Sequence, residues 1–177
     1  MLSVIGSLVV LLLKVFFGII IGIFSIYLSL KFFDKMTGEI DEIKEIKKGN
    51  VAVAIILVSV ILSIAGIVSK GINSFDEAFS VYQTLPMFII SFIVAIAQLV
   101  VVIAVAIISI YISVKVLYTM TAGINEINEL KKGNVAVGLI ISSVVYVIAF
   151  AASKGVEGMS ELEIFNPILW ANYLGVL

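Results

Sequence analysis

The chain contains no histidine, no cysteine and no arginine, so every one of its 11 cations is a lysine. Without cysteine there is no disulfide, and redox usage says nothing about compartment. Without histidine or cysteine the usual nitrogen and sulfur metal ligands are missing, and so is the commonest general base. Catalysis is therefore not expected, and neither a cofactor nor a metal is expected. Charged residues make up only 13% of the chain, with a net charge of −1. No basic run suits nucleic acid, which is excluded as an expected partner.

What is plentiful is apolar surface. Hydrophobic residues make up 62% of the sequence and the mean hydropathy is +1.27, whereas a soluble domain is about half apolar and a quarter charged. Four apolar tracts carry the excess: Leu2 to Leu30, Val51 to Ser69, Met87 to Val114 and Val135 to Ser153. Each approaches or exceeds the roughly 20 residues a helix needs to cross a bilayer. Inside lipid the backbone must satisfy itself, and such tracts are too long for barrel strands of about ten alternating residues. The expectation is an all-α integral membrane protein with four transmembrane helices and the lipid bilayer as its first partner. The opening MLSVIGSLVVLLLK lacks a basic leader region, so it is read as a retained crossing.

A shift of 84 positions aligns Ser25 to Gly71 with Ser109 to Gly155 without a gap, and 26 of 47 positions are identical. This internal duplication predicts a first unit over 1–84, a second over 85–168 and an outer interfacial tail over 169–177. Each unit crosses the membrane twice, so both enter it the same way round, as parallel two-helix repeats about an expected pseudo-twofold axis along the membrane normal. Lysines set the orientation. Lys31, Lys35, Lys44, Lys47, Lys48, Lys115, Lys131 and Lys132 flank one side, against Lys70 and Lys154 on the other. The first group is expected in the cytoplasm and both termini outside, with Trp170 and Tyr173 as interfacial anchors.

Between the crossings of each unit runs a charged stretch with apolar residues at helical spacing: Met36, Ile40, Ile43 and Ile46, then Met120, Ile124, Ile127 and Leu130. This pattern predicts an amphipathic elbow helix on the cytoplasmic side, its isoleucines toward the membrane. The chain should bend between Lys31 and Gly38. An elbow of about 11 residues would displace the second crossing by about 17 Å, leaving a gap for another helix. Each stretch ends in KKGN. Lysines complement a helix C-terminus, Gly49 and Gly133 suit the left-handed position after it, and Asn50 and Asn134 are good caps for the next helix. These four are the expected structural corners. Glu42, Glu45, Lys47, Lys48, Glu126, Glu129, Lys131 and Lys132 are the candidate docking surface for a cytoplasmic protein.

Met36, Thr37 and the acids leading into KKGNVAVA, repeated from Met120 to Val137, resemble the YjfL-like inner-membrane family, a domain of unknown function (DUF350), present here as two tandem units. The resemblance implies a small multi-pass protein of a prokaryotic plasma (inner) membrane and no particular reaction. This chain departs from the family pattern at Gly38 and Ala122, where a proline is expected after the threonine.

Within the crossings, Lys14 is the one charge, and its counterpart 84 positions on is Gln98. Intramembrane ionisable groups are costly and tend to be functional. Lys14 lies far enough from the inner boundary to snorkel outward; alternatively it shares a polar pore lining with Gln98. Gly18 and Gly22 permit local close packing. Ser25, Ser29, Ser59 and Ser63 are expected to bond back to helix carbonyls. Asp76, Glu77, Glu157, Glu161 and Glu163 read as a solvated outer face rather than a cation site. The expected function is an oligomeric membrane scaffold or partner-binding protein, with an ion channel or transporter-like pore through Lys14 and Gln98 as the alternative.

Overall fold

The structure, a computed structural model, describes residues 2–37, 41–80, 84–120 and 125–176. Among them four long helices dominate: α1 (Leu2–Thr37), α3 (Val51–Ser80), α4 (Leu85–Met120) and α6 (Val135–Glu157). Two six-residue helices, α2 (Glu42–Lys47) and α5 (Glu126–Lys131), precede α3 and α6. After α6 come two 3-10 turns, Gly158–Glu161 and Glu163–Phe165, and a short α7 (Pro167–Tyr173). All four long helices contain apolar windows long enough to cross a membrane: Leu11–Leu28, Val51–Ile72, Leu85–Leu117 and Val135–Glu157. Several serines within them are turned back onto the backbone. Ser25 donates to the Ile21 carbonyl at 2.7 Å, Ser109 to Val105 at 2.7 Å and Ser59 to Ile56 at 2.8 Å. Ser63 departs from that expectation, since its buried hydroxyl has no partner.

The core is built around α3. Half of its apolar window is buried inside the protein, against 6% for α1. Ala52, Val60 and Ile64 are fully enclosed between α3, α4 and α6. The contacts are close because glycines sit at them. A Cβ on Gly138 of α6 would lie 2.9 Å from the Ala52 carbonyl oxygen, and one on Gly71 of α3 would lie 2.9 Å from Val102 Cγ2 of α4. Lipid tails are as apolar as leucine, so membrane helices associate through such close packing rather than through hydrophobicity. The corners of α3 and α6 lie together at one end, and Lys70 reaches Glu157 at 3.2 Å at the other. These two helices therefore run side by side in the same direction.

The packing corrects three expectations. First, it is not twofold: α4 packs on both α3 and α6, while α1 packs on α3 and α4 and makes no comparable contact with α6. Second, the elbow is shorter than its apolar pattern. α1 stays helical to Thr37, and Asp41 caps α2 by accepting from the Lys44 N–H at 3.0 Å. The bend expected between Lys31 and Gly38 is not seen up to Thr37, and residues 38–40 lie outside the described residues, as do Ala122 and Ile124 of the second copy. Six residues give only about 9 Å of displacement, one helix spacing, so α1 packs directly on α3 with no gap between them. Third, among the described residues nothing lies within 4 Å of a Cβ position on Gly22, and one on Gly18 would meet only Ile72 Cγ2 at 4.0 Å. Asn166 caps α7 by accepting from the Ile168 N–H at 2.9 Å, and α7 lies on α4.

Candidate functional site

Each corner is a helix stop and start fused through one carboxylate. In the first, Gly49 takes a φ of 79°, a conformation that L side chains avoid. The Gly49 N–H then reaches the Ile46 carbonyl at 2.9 Å, and the Asn50 N–H reaches that of Glu45 at 3.0 Å. This is the paired closure of a Schellman motif. Asn50 Oδ1 accepts from the Val53 N–H at 3.3 Å, opening α3. The Glu45 carboxylate closes the unit, accepting from Lys48 Nζ at 2.6 Å and from Asn50 Nδ2 at 2.9 Å. The second corner repeats the pattern: Gly133 has a φ of 78°, Lys132 Nζ lies 2.7 Å and Asn134 Nδ2 2.9 Å from Glu129, and Asn134 Oδ1 accepts from Val137 at 3.4 Å. Bonding to Lys48, then to Asn50, holds the Glu45 carboxyl below the ordinary glutamate range. Lys132, then Asn134, does the same for Glu129.

The two corners touch asymmetrically. Asn50 Nδ2 also donates to the Leu130 carbonyl, 2.8 Å away at the end of α5, so the first corner is bonded to the second. Glu45 and Glu129 were expected on a docking face and are instead the clamps of the corners. The signal was in the sequence as a Glu five residues before each Asn. Glu42 and Glu126, on the same expected face, are buried at 7% and 6% exposure. Lys47, Lys48, Lys131 and Lys132 of that expected face are exposed. Lys48 and Lys132 are already engaged by Glu45 and Glu129.

Lys14 and Gln98 occupy different environments despite equivalent sequence positions. Gln98 is enclosed at 4% exposure on the packed face of α4, whereas Lys14 is half-buried on α1, most of whose surface is open. α1 and α4 do meet, through Phe17 and Phe92 with ring centroids 6.2 Å apart. At the end of the helices opposite the corners, Glu157 is bridged to Lys70 and Lys154, at 3.2 and 2.9 Å. The side chains of Asp76 and Glu77 lie outside the described residues. Among the described residues no three acidic side chains gather as a metal site.

Four long apolar helices, close-packed through glycines and joined by capped corners, define a multi-pass helical membrane protein. The chain belongs to the family described as Domain of Unknown Function (DUF350), which matches residues 7–108. The matched region takes in α1, α2, α3 and most of α4, passing residue 84. No curated protein and no solved structure matches the chain.

Proposed function

We propose that this protein is an oligomeric scaffold or partner-binding protein of a prokaryotic plasma (inner) membrane. In this reading it consists of two parallel two-helix units, with α2 and α5 as interfacial elbows on the cytoplasmic side and both termini outside. It works by presenting the exposed lysines of its corners, Lys47, Lys48, Lys131 and Lys132, to an acidic cytoplasmic partner. The enclosure of Gln98 carries this reading over the pore. A residue at 4% exposure, surrounded by packed helix, does not line a water-filled path, and conduction needs polar groups facing the permeating ion. Lys14 then snorkels to the outer surface, its stem lying along apolar neighbours.

The test is ion flux in vesicles containing the purified protein, with Lys14→Glu beside it. The scaffold reading expects no flux above protein-free vesicles for either. A pore would conduct, and reversing the charge at residue 14 would reverse its preference between anions and cations. That reversal would replace the scaffold by a channel.

A further inference from the structure

The two halves of the chain are packed head to tail, and the trailing face of the second half is left uncovered. In α3, Ala52, Val53, Ile56, Val60, Ile64, Ile67, Val68 and Gly71 are all buried. Their counterparts 84 positions on in α6 are Ala136, Val137, Ile140, Val144, Ile148, Ala151, Ala152 and Gly155, and none of these is buried. A twofold pair would bury equivalent residues equally. A repeated head-to-tail contact buries one face of the first unit and leaves the same face of the last unit open.

Apolar exposure alone would mean only lipid contact, since a membrane helix needs no other cover. Polar groups distinguish this face. Asn50 Nδ2 donates to Glu45 and also across the interface to the Leu130 carbonyl at 2.8 Å. Asn134, the same residue one unit later, donates its side-chain amide to Glu129 alone. The carbonyl matching Leu130 is that of Ile46, at the leading end of the chain. Their exposures differ in the same sense: Leu130 is covered at 5%, whereas Ile46 is 39% exposed. An amide on the trailing corner and a carbonyl on the leading corner thus each lack the bond that their repeat equivalents make to one another. At the other end of the helices, Gly71 receives Val102. Its counterpart Gly155 meets nothing within 4 Å, and the counterpart of Val102 is Gly18.

We propose that a second copy of this chain docks on α5 and α6, its α1, α2 and α3 taking the places that α4, α5 and α6 take on α3. In that contact Asn134 donates to Ile46 O of the second copy and Gly155 faces Gly18. The copies sit slightly wider at the corners, where Ala54 replaces Gly138, and closer at the far end, where Gly18 replaces Val102. The contact is heterologous, so each copy offers the same open face to the next, and the assembly is a ring or an array rather than a twofold dimer. The inference rests on the reading of the chain as two parallel units and names the face through which the scaffold assembles.

Cysteine cross-linking tests it on a background free of native thiols. Between the units, a Cβ on Gly71 would lie 3.1 Å from Val102 Cβ, and a disulfide places two Cβ atoms about 3.5 to 4.5 Å apart. Gly18→Cys and Gly155→Cys should therefore bond between copies with only slight separation. Oxidised in native membranes, the double variant should give a ladder of dimers, trimers and higher species. Each single variant should stay monomeric alone and give only dimer when the two are co-expressed. Equal dimerisation of a single variant would mean a twofold interface and would overturn the proposal. The mass of the unmodified protein in lipid nanodiscs gives an independent reading, since oligomers are required. Monomers throughout would overturn both this interface and the scaffold reading. Oligomers without the mixed cross-link in folded variants would overturn the interface alone.

Discussion

Gly138→Ala tests the contact at which α6 meets the backbone of α3. The added Cβ would meet the Ala52 carbonyl oxygen at 2.9 Å, its Cα at 3.1 Å and its Cβ at 3.2 Å. Two of these atoms are backbone, so no rotamer change relieves the contact, and α3 and α6 must part by about 0.5 Å. A gap of that size forfeits about a quarter of the dispersion energy of each pair it opens, and overpacking of this kind typically costs about 1 to 3 kcal/mol. Replacing glycine by alanine within a helix returns about 1 kcal/mol. The expected net is a loss of about 0 to 2 kcal/mol, so that Gly138→Ala falls about 1 to 3 kcal/mol below a Gly→Ala change made in open space, measured by pulse proteolysis across a denaturing detergent titration in mixed micelles. Gly155→Ala is the control. Nothing lies within 4 Å of that position, so in dispersed chains the propensity gain of about 1 kcal/mol should stand alone. Adding Ala52→Gly to Gly138→Ala should restore only part of the loss, because it removes the Cβ at 3.2 Å and leaves the oxygen at 2.9 Å. Full rescue, or a Gly138→Ala variant stabilised as much as Gly155→Ala, would refute the backbone contact as the limit on this interface.

Asn50→Ala should cost more than Asn134→Ala in dispersed chains. Both lose a cap worth about 0.5 to 2 kcal/mol, but only Asn50 also gives up the bond to Leu130, a further 0.5 to 1.5 kcal/mol or so; equal losses in the same titration would remove the asymmetry of the corners. Glu45 and Glu129 have depressed carboxyl pKa values when folded, so their contribution is present above the ordinary value of 4.5 and is lost as pH falls through the lower folded values. Acid titration of the corners should therefore flatten in the Glu45→Gln, Glu129→Gln double variant, and an unchanged acid limb would show that the carboxylates do not hold the corners. Single cysteines replacing Glu45 and Glu157 should report orientation in intact cells. An impermeant thiol reagent should label position 157 and spare position 45, and the opposite pattern would invert the proposed topology.

The sequence alone determined that there are four membrane-length helices and where the corners fall. An apolar tract in lipid has to satisfy its own backbone, which leaves the helix as the available form. KKGN carries its own stop and start chemistry, and Gly49 and Gly133 at φ 79° and 78° follow from that local pattern. The elbows were only partly legible. The spacing of Met36 and Met120 with the following isoleucines matches a helix face, but Asp41 and Asn125 offered caps further along, and capping decided where the short helices begin. Glu45 and Glu129 look like surface charges in a linear reading, because nothing local distinguishes a carboxylate facing water from one folded back onto the next helix cap. Which face of each crossing is covered was decided by tertiary structure alone. Ala52 and Ala136 share the same local sequence, VAVA against VAVG, yet one is fully buried and the other exposed. Lipid is as apolar as a helix neighbour, so hydropathy marks neither face as the inner one. The choice is made by shape, where Gly138 lets α6 approach Ala52 and Gly71 receives Val102.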